Sequence, residues 1–241
     1  MREPHLHDYL DERCGPIPAY LHAVERRTHL RTMYPQMLTG HMQGRFLSWL
    51  VSWLRAGVRG RPFRVLEVGT FTGYSALCFA ERLTAEDVVH TIEVDDERET
   101  MIREHIGMAR LACPIEVHIG DANEVAPALP GAWDIIYLDA RKADYPRQFE
   151  ALAPRLAVGG VLLLDNVLWD GAVVDATRGT AAVLRAWSLG VSRDARWETL
   201  TLPMRDGLMA VRAAGPAASA HLHEEGADAG GFGPPVGRRA H

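Results

Sequence analysis

RVLEVGTFTGYSALCF, residues 64–79, joins a short apolar run to a loop with two glycines and then to a predicted helix. Gly69 and Gly73 bound the loop, and we expect the helix from about Tyr74. In an open α/β sheet, ligands bind at the carboxyl ends of the strands, beside the first glycine-rich crossover. The GxxxG spacing is not the GxGxxG of dinucleotide-binding loops, and no GK[ST] follows as in a Walker loop. The loop therefore suits a cofactor without phosphate groups, although tight packing of a helix on a sheet produces the same spacing.

The rest of the chain repeats this alternation of short apolar runs and helical segments. Short runs that are apolar on both faces indicate a parallel sheet covered on both sides. The last two runs are separated only by the turn at Arg205 and Asp206, which predicts an antiparallel hairpin at the sheet edge. We therefore expect an α/β fold with a Rossmann-like, seven-stranded, mostly parallel sheet. Its strands are predicted at 64–69, 88–94, 115–120, 133–140, 159–166, 197–204 and 207–213, and helices between them at 74–83, 96–111, 122–129 and 145–156.

The two ends of the chain differ from this central part. Ala19 to Leu30 and Gly40 to Ala56 carry apolar residues at helical spacing, and Pro35 separates the two runs. The segment after Ala213 is mostly Ala, Gly, Pro and His, with too few large apolar side chains to offset the entropy of ordering. The predicted division is a single domain over 1–213, with a helical cap or lid over 1–60, and a disordered tail over 214–241.

Composition argues against several classes of function. A chain of 241 residues with a formal net charge of -5 has no global basic field to attract nucleic acid or an anionic membrane. Its three cysteines lie far apart without a CxxC pair, so neither a disulfide scaffold nor a thiolate zinc site is expected. No run approaches about 18 uninterrupted apolar residues, and the charged N-terminus lacks the apolar core of a secretory signal. The sequence predicts a cytoplasmic protein without a membrane segment or a nucleic-acid partner.

Two carboxylates lie near the carboxyl ends of the first two predicted strands. Glu67 precedes the glycine loop and could pair with a cationic amino group of a cofactor. Glu93, in the stretch TIEVD, could accept hydrogen bonds from both hydroxyls of a ribose and would then exclude a 2′-phosphate. Together with the loop, this acidic strand end favours cofactor binding over packing alone as the reason for the glycines.

Three oxygen donors follow the next two strands of the predicted parallel set. Asp139 ends YLD, and Asp165 and Asn166 end LLLDN. Neighbouring parallel strands would bring these ends within several ångströms of one another. Two carboxylates and an amide, without His or Cys, form a hard oxygen site that suits Mg²⁺, Mn²⁺ or Ca²⁺ rather than zinc. The alternative is that Asp139 caps the next helix and that Asp165 and Asn166 shape a turn.

Lys142, three residues after Asp139, is a candidate general base. A lysine acts as a base only when it is deprotonated, and a divalent cation nearby would favour loss of its proton. The same cation would acidify a hydroxyl that it coordinates. The alternative for Lys142, and for Arg141 beside it, is a solvated side chain at a helix start.

With these features, the chain resembles the metal-dependent class I O-methyltransferases, which include catechol O-methyltransferase and the caffeoyl-CoA O-methyltransferases. It is most similar to their small bacterial relatives, and the resemblance covers roughly residues 20–213 in the family's order. It is carried by MLTGHMQGRFL (37–47), VLEVGTFTGYSALCFAERL (65–83), HTIEVDDE (90–97), HIGDA (118–122), YLDARKADY (137–145), GGVLLLDNVLWDG (159–171) and MRDGLMAV (204–211).

The resemblance implies a methyl donor, a metal and a role for each matching residue. The donor would be S-adenosylmethionine, and the metal Mg²⁺, or Mn²⁺ or Ca²⁺ in its place. Lys142 matches the lysine regarded as the general base, and Tyr145 completes an Asp-x-x-Lys-x-x-Tyr pattern. The metal ligands would be Asp139, Asp165 and Asn166. The donor site would be lined by Met37, Thr39, Gly69, Phe71, Ser75, Glu93, Asp121, Ala122 and Asp139, with Glu67 close to its methionine end.

The chain also departs from the family's pattern. Arg141 replaces an acidic or aromatic residue that often precedes the lysine, which puts the local electrostatics and substrate fit in question. Met209 falls about where catechol-specific members have a glutamate, so catechol recognition in that style is not expected. Arg45 stands where plant members often have glutamine. The segment from Asp170 to Thr180 corresponds to the loop that varies with substrate, and it does not indicate one.

The resulting hypothesis is in-line methyl transfer to a hydroxyl of a small catechol-like or hydroxylated aromatic acceptor, by an enzyme whose relatives are commonly homodimers. An NAD-dependent oxidoreductase is one alternative, and the GxxxG spacing argues against it. A methyltransferase acting on another small molecule, a nucleic acid or a protein is a second. Against the macromolecular targets stand the negative charge, the oxygen cluster and the absence of an Asn-Pro-Pro-Tyr-like motif. A non-catalytic binding module is least favoured, because no residue of the donor or metal set is missing.

Overall fold

Seven strands form one sheet in the part of the chain that the computed structural model describes, residues 9–215. They are β1 (Arg64–Val68), β2 (Val88–Glu93), β3 (Ile115–Ile119), β4 (Trp133–Leu138), β5 (Leu156–Asp165), β6 (Trp197–Leu202) and β7 (Leu208–Ala213). Their order is β3-β2-β1-β4-β5-β7-β6. Strands β1 to β5 are parallel to one another, whereas β7 lies antiparallel between β5 and β6. The predicted mostly parallel sheet and its C-terminal antiparallel hairpin are confirmed.

Successive strand residues point into two different apolar clusters. Val65 and Ile135 are buried in the cluster on one face, and their neighbours Leu66 and Ile136 are buried in the cluster on the other. Strands that are apolar on both sides are characteristic of a parallel sheet enclosed between helices. This is why the runs of Val, Ile and Leu, rather than an alternating pattern, marked the strands in the sequence.

Helices cover both faces of the sheet. Buried or partly buried side chains of α1 to α4 pack in the first cluster, and buried side chains of α5 to α7 pack in the second. The predicted two-sided arrangement is therefore confirmed. These helices are α1 (Ala19–Arg31), α2 (His41–Gly57), α3 (Tyr74–Ala80), α4 (Glu99–Ala109), α5 (Ala122–Ala128), α6 (Tyr145–Leu152) and α7 (Gly179–Ser192).

Helix α7 is absent from the sequence-based assignment. Its buried residues, Ala181, Leu184 and Val191, have helical spacing, but the segment begins and nearly ends with glycine, which masks the pattern. The preceding segment from Trp169 to Val174 forms short 3₁₀ turns. The helix therefore begins within the stretch that the sequence analysis treated as a variable loop.

The N-terminal helices belong to the same core as the sheet. Leu21 of α1 and Leu47 of α2 are buried in the first cluster, the one that contains Val65 of β1. A 3₁₀ turn at Pro35–Met37 separates the two helices, where Pro35 predicted an interruption. A lid function for residues 1–60 stays a prediction, and the predicted tail lies outside the described residues apart from Ala214 and Gly215. Within the described residues, no helix is long and apolar enough to span a membrane.

A buried aspartate joins the amino ends of β1 and β2. Asp87 accepts hydrogen bonds from the backbone nitrogens of Phe63 (2.8 Å) and Thr84 (2.9 Å) and from the Arg55 guanidinium (3.1 Å). Burial alone would raise the pKa of Asp87, but these hydrogen bonds hold it below its ordinary value. Asp87 is therefore a charged, fully bonded anchor at the end of the sheet opposite the strands' carboxyl ends.

Asp87→Ala should lower the free energy of unfolding by about 3 kcal/mol, because several buried donors lose their acceptor. Because the folded pKa is depressed, this contribution is complete above the unfolded pKa of about 3.9 and is lost as the pH falls through the folded pKa. Urea denaturation at neutral and acidic pH measures both effects. Glu86→Ala, next to it and exposed, is the control and should change stability by less than about 0.5 kcal/mol. Equal unfolding midpoints for the two variants would contradict the anchor.

Candidate functional site

A cavity of about 650 Å³ lies at the carboxyl ends of the parallel strands. The glycine loop reaches it after β1, Glu93 ends β2 beside it, and the segments after β4 and β5 complete its wall. This is the edge at which ligands bind in open α/β sheets. Of the predicted site residues, those that line the cavity are Met37, Gly69, Phe71, Glu93, Ala122, Asp139, Lys142, Asp165 and Asn166.

Gly69 brings the end of β1 into direct contact with the end of β4. Its φ is +102°, and a Cβ at this position would lie 2.7 Å from the carbonyl carbon of Asp139 and overlap its oxygen. The Asp139 N–H also donates to the Val68 carbonyl at 2.8 Å. Only a glycine fits both the backbone conformation and the space. The glycine loop and the predicted metal ligand are therefore parts of one contact.

Glu93 shapes the loop that the sequence assigned to the cofactor. One carboxylate oxygen accepts a hydrogen bond from the Phe71 N–H at 2.7 Å, and the other accepts one from the Asp95 N–H at 3.0 Å. Phe71 itself has a φ of +52°, so this bond holds a backbone conformation that non-glycine residues seldom adopt. Arg98 stacks over the Phe71 ring at 5.0 Å and lies 3.5 Å from Glu93. The carboxylate is thus fixed at the cavity wall.

Glu67 lies beneath the glycine loop and does not line the cavity. Its side chain is fully buried and accepts a hydrogen bond from the Thr91 hydroxyl at 2.5 Å, and Thr91 in turn lies 2.5 Å from the Thr70 hydroxyl. Burial raises the pKa of Glu67 to about 8, although the hydroxyl groups of Ser75 and Thr91 act in the opposite direction. Its second oxygen has no hydrogen-bond partner among the described residues. Glu67 therefore supports the loop from below.

Asp139 and Lys142 form a buried ion pair at the cavity. The ammonium group lies 2.8 Å from a carboxylate oxygen of Asp139, and only 7% of Lys142 is exposed. Burial raises the pKa of Asp139 to about 6, the charge of Lys142 lowers it, and the charge of Asp165 raises it further. Lys142 is therefore not a solvated lysine. Arg141, in contrast, is solvated: its side chain is 77% exposed and pairs with Asp144, although the residue also lines the cavity.

Asp165 is held by three donors on different elements. One carboxylate oxygen accepts hydrogen bonds from the Gln43 amide and the Tyr137 hydroxyl, both at 2.6 Å. The other accepts the Asn166 N–H at 2.8 Å, and Asn166 has a φ of +56°. Asp165 and Asn166 therefore do form a tight turn, and the same turn presents both residues to the cavity.

Tyr145 ties the ends of β4 and β5 together. Its buried hydroxyl lies 2.8 Å from the carbonyl oxygens of both Leu138 and Asp165. These carbonyls belong to the last residue of β4 and the last residue of β5. Because Asp139 follows Leu138 directly, this hydroxyl helps to fix the spacing between the two carboxylates. Asp139 and Asp165 line the same cavity, and the charge of Asp165 raises the pKa of Asp139.

The candidate metal ligands form a small set. No three His, Cys, Asp or Glu side chains within residues 9–215 are grouped so that they could hold a metal ion. A metal at this edge would therefore use the amide oxygen of Asn166 in addition to Asp139 and Asp165. Two carboxylates and an amide are ligands of the kind that hard divalent cations accept, with water or substrate oxygens completing the coordination.

Three further predicted donor-site residues lie away from the main cavity, as Glu67 does. Thr39 lines a neighbouring cavity of about 200 Å³. Ser75 is buried in the first turn of α3. Asp121 is exposed and caps α5 by accepting the Asn123 N–H at 2.8 Å. Roles for these three residues in donor binding stay predictions.

Several cavity residues were not singled out from the sequence. Three of them line the main cavity: Arg98, Trp169 and Arg205. A fourth, Gln43 of α2, donates a hydrogen bond to Asp165. A signal for Gln43 exists: it is a polar residue on the buried stripe of α2, in register with Leu47 and Leu50. Arg98 lies in a 3₁₀ turn at the start of the segment predicted as a helix, Trp169 lies in another 3₁₀ turn, and Arg205 lies between β6 and β7. Helical or strand periodicity gives no information about the direction of a side chain in such turns.

The chain is similar to known O-methyltransferases in sequence and in fold. The sequence model of the O-methyltransferase family matches residues 13–214. The chain is 31% identical over 190 residues to caffeoyl-CoA O-methyltransferase 2 of Petunia hybrida, covering 73% of this chain and 76% of that protein. It is 31% identical over 154 residues to a catechol O-methyltransferase of Niastella koreensis, covering 62% and 66%. A crystal structure of an O-methyltransferase from Bacillus cereus in complex with SAH has a TM-score of 0.74 at 26% identity, covering 86% and 97%.

The chain belongs to the O-methyltransferase family. The predicted family resemblance, the Rossmann-like methyltransferase fold and the enzyme class are thereby confirmed. The alternatives of an NAD-dependent oxidoreductase and of a non-catalytic binding module do not hold.

Gly69→Ala should destabilise the protein far more than Gly73→Ala. Both glycines have positive φ, so each substitution costs about 1 kcal/mol in backbone strain. A Cβ at Gly73 would meet only a methyl group of Ile102 at 3.8 Å, whereas one at Gly69 overlaps the Asp139 carbonyl. We expect a loss of about 3 kcal/mol or more for Gly69→Ala in urea denaturation. Equal losses for the two variants would show that β1 and β4 do not meet as described.

Proposed function

We propose that this member of the O-methyltransferase family transfers the methyl group of S-adenosylmethionine to one of two neighbouring hydroxyls on a small aromatic acceptor, with a divalent metal. One observation carries the proposal. A single cavity is lined both by the glycine loop with Glu93 and by the ion pair of Lys142 and Asp139 with Asp165 and Asn166. A donor site and an acceptor site that share one cavity are what a direct transfer requires, because proximity supplies much of the rate acceleration.

The loop side of the cavity suits the donor. Gly69 allows close approach to the backbone, and Phe71 and Met37 contribute apolar surface. Each oxygen of Glu93 accepts one backbone N–H, and a carboxylate oxygen has a second lone pair for a ribose hydroxyl. The related Bacillus cereus structure, which contains SAH, supports the same donor for this chain.

The part of the cavity wall formed by Asp139, Asp165 and Asn166 suits a hard divalent cation. Asp139 is partly buried and Asp165 is buried, and their charges repel each other, whereas the charge of Lys142 favours the charged form of Asp139. A cation held by these carboxylates and the amide oxygen of Asn166 would relieve that repulsion. Bound there, Mg²⁺ or a similar ion supplies a positive charge that orients two neighbouring oxygens and makes a hydroxyl more acidic. The donor set therefore fits the metal that the family resemblance implies.

Lys142 is the residue best placed to accept the acceptor's proton. Its ammonium position is fixed by Asp139 at 2.8 Å and by the Tyr145 ring, whose centroid lies 5.1 Å away. In the proposed step Lys142 has first lost its ammonium proton to solvent, and the neutral amine then takes the hydroxyl proton while the oxygen forms a bond to the methyl carbon. The carbon–sulfur bond breaks, and its electron pair stays on sulfur, which becomes a neutral thioether. Atoms and charge balance without a further reactant.

Methyl transfer to a catechol should require a divalent cation. A chelator should abolish transfer of labelled methyl from S-adenosylmethionine, and added Mg²⁺ should restore it, because the cation orients and acidifies the acceptor. A phenol with one hydroxyl serves as the control acceptor and should react far more slowly. Full activity of the metal-free enzyme would show that transfer does not need the metal. Equal rates on both acceptors would show that transfer does not need a second, neighbouring hydroxyl.

Lys142→Ala should lower kcat by about 10²–10⁴-fold, the usual contribution of a positioned base, and leave the affinity for S-adenosylmethionine nearly unchanged. Steady-state kinetics and binding calorimetry measure the two quantities. Arg141→Ala is the matched control, because it removes the neighbouring cation, which is exposed and paired with Asp144. An unchanged kcat in Lys142→Ala, or an equal loss in Arg141→Ala, would rule out the base assignment.

A further inference from the structure

Arg205 connects two segments that meet at the cavity. It lies in the turn between β6 and β7, and its guanidinium donates hydrogen bonds to the carbonyl oxygens of Leu38 and, at 3.2 Å, of Gln36. These two acceptors lie in the connection between α1 and α2, the same connection that carries Met37 to the cavity. A planar guanidinium can serve two carbonyls at once, which an ammonium group does less well.

The turn that carries Arg205 is itself fixed to the loop after β5. Leu168 N–H donates to the Asp206 carbonyl at 2.9 Å, and Val167 N–H donates to the Gly207 carbonyl at 3.1 Å. This loop begins at Asn166, one of the candidate metal ligands. Arg205 therefore joins the α1–α2 connection to the loop after β5, through the hydrogen bonds of its own turn.

Arg205 holds this position in an unfavourable backbone conformation. Its φ is +50°, a region in which glycine is comfortable and residues with a Cβ are not. Strained residues of this kind are maintained when surrounding contacts offset the strain, and they concentrate at functional sites. The contacts of the guanidinium provide that offset here.

Arg205 also separates two cavities. Among the described residues it is the one that lines both the main cavity and the neighbouring cavity of about 200 Å³. Polar side chains line much of the smaller cavity, among them Gln43, which donates a hydrogen bond to Asp165. Arg205 therefore stands at the boundary between the two cavities.

We infer that Arg205 is a positioning and specificity-determining residue that holds residues 36–40 against the cavity and limits the length of acceptor that fits in the main cavity. The first part concerns the protein alone, whereas the limit on the acceptor rests on the proposed function. Removal of the side chain would release residues 36–40 and join the two cavities.

The test compares Arg205→Gly with Arg110→Gly. Arg110 is an exposed residue with a φ of +51° at the end of α4 and lines neither cavity, so its substitution relieves the same strain without touching the site. Hydrogen exchange is measured at the amides of Met37 and Leu38, which are bonded to Tyr34 and Pro35. We expect about tenfold faster exchange in Arg205→Gly, no change in Arg110→Gly, and an intermediate value in Arg205→Lys. Wild-type exchange rates in Arg205→Gly would overturn the positioning role, whether or not the protein methylates any acceptor.

Acceptor selectivity tests the second part. The ratio of kcat/KM for a catechol with a long substituent to kcat/KM for catechol itself should rise about fivefold or more in Arg205→Gly. The ratio should stay at the wild-type value in Arg110→Gly. An unchanged ratio in Arg205→Gly would overturn the specificity role. Absence of transfer to both acceptors by the wild-type protein would instead count against the proposed function, and the exchange result would still decide the positioning role.

Discussion

The contact between Gly69 and the Asp139 carbonyl is the constraint on which the rest of the site depends. No side chain fits between the end of β1 and the end of β4, and the positive φ of Gly69 turns the chain away at that point. The contact places the loop at Phe71 and the pair of Asp139 and Lys142 on the walls of one cavity. The groups proposed to bind the donor and the acceptor are therefore brought together by a contact between two backbones.

Around that contact, the protein itself orients the charged groups. Tyr145 bridges the ends of β4 and β5, Gln43 and Tyr137 fix the Asp165 carboxylate, and Lys142 pairs with Asp139. Buried charges are costly unless they are paired and hydrogen-bonded, so this network is the means by which two carboxylates are kept at one buried edge. The proposed metal would enter a site whose ligands are already held by hydrogen bonds from neighbouring elements.

The fold was largely predictable because it is encoded in local patterns. Runs such as those of β1 and β4 are apolar on both faces, and turn residues and helical spacing separate them. Helix α7 was not predicted because its glycines interrupt the helical spacing of its apolar residues. The convergence of Gly69, Glu93, Asp139 and Asp165 also followed from the rule that parallel strands end at one edge. What could not be predicted was which side chains reach the cavity. Asp121 caps a helix and Glu67 lies beneath the loop, whereas Arg205 reaches the site from a distant turn.

We propose that one cavity brings a methyl donor, a divalent cation and an acceptor hydroxyl together beside Lys142. A crystal structure of the protein with S-adenosylhomocysteine, Mg²⁺ and a nitrocatechol is the decisive measurement. It should show the donor sulfur between the loop at Phe71 and the acceptor, and the ion on Asp139, Asp165 and Asn166. An acceptor oxygen should lie within hydrogen-bond distance of the Lys142 amine. A donor bound elsewhere, or an acceptor oxygen that does not reach Lys142, would contradict the proposal.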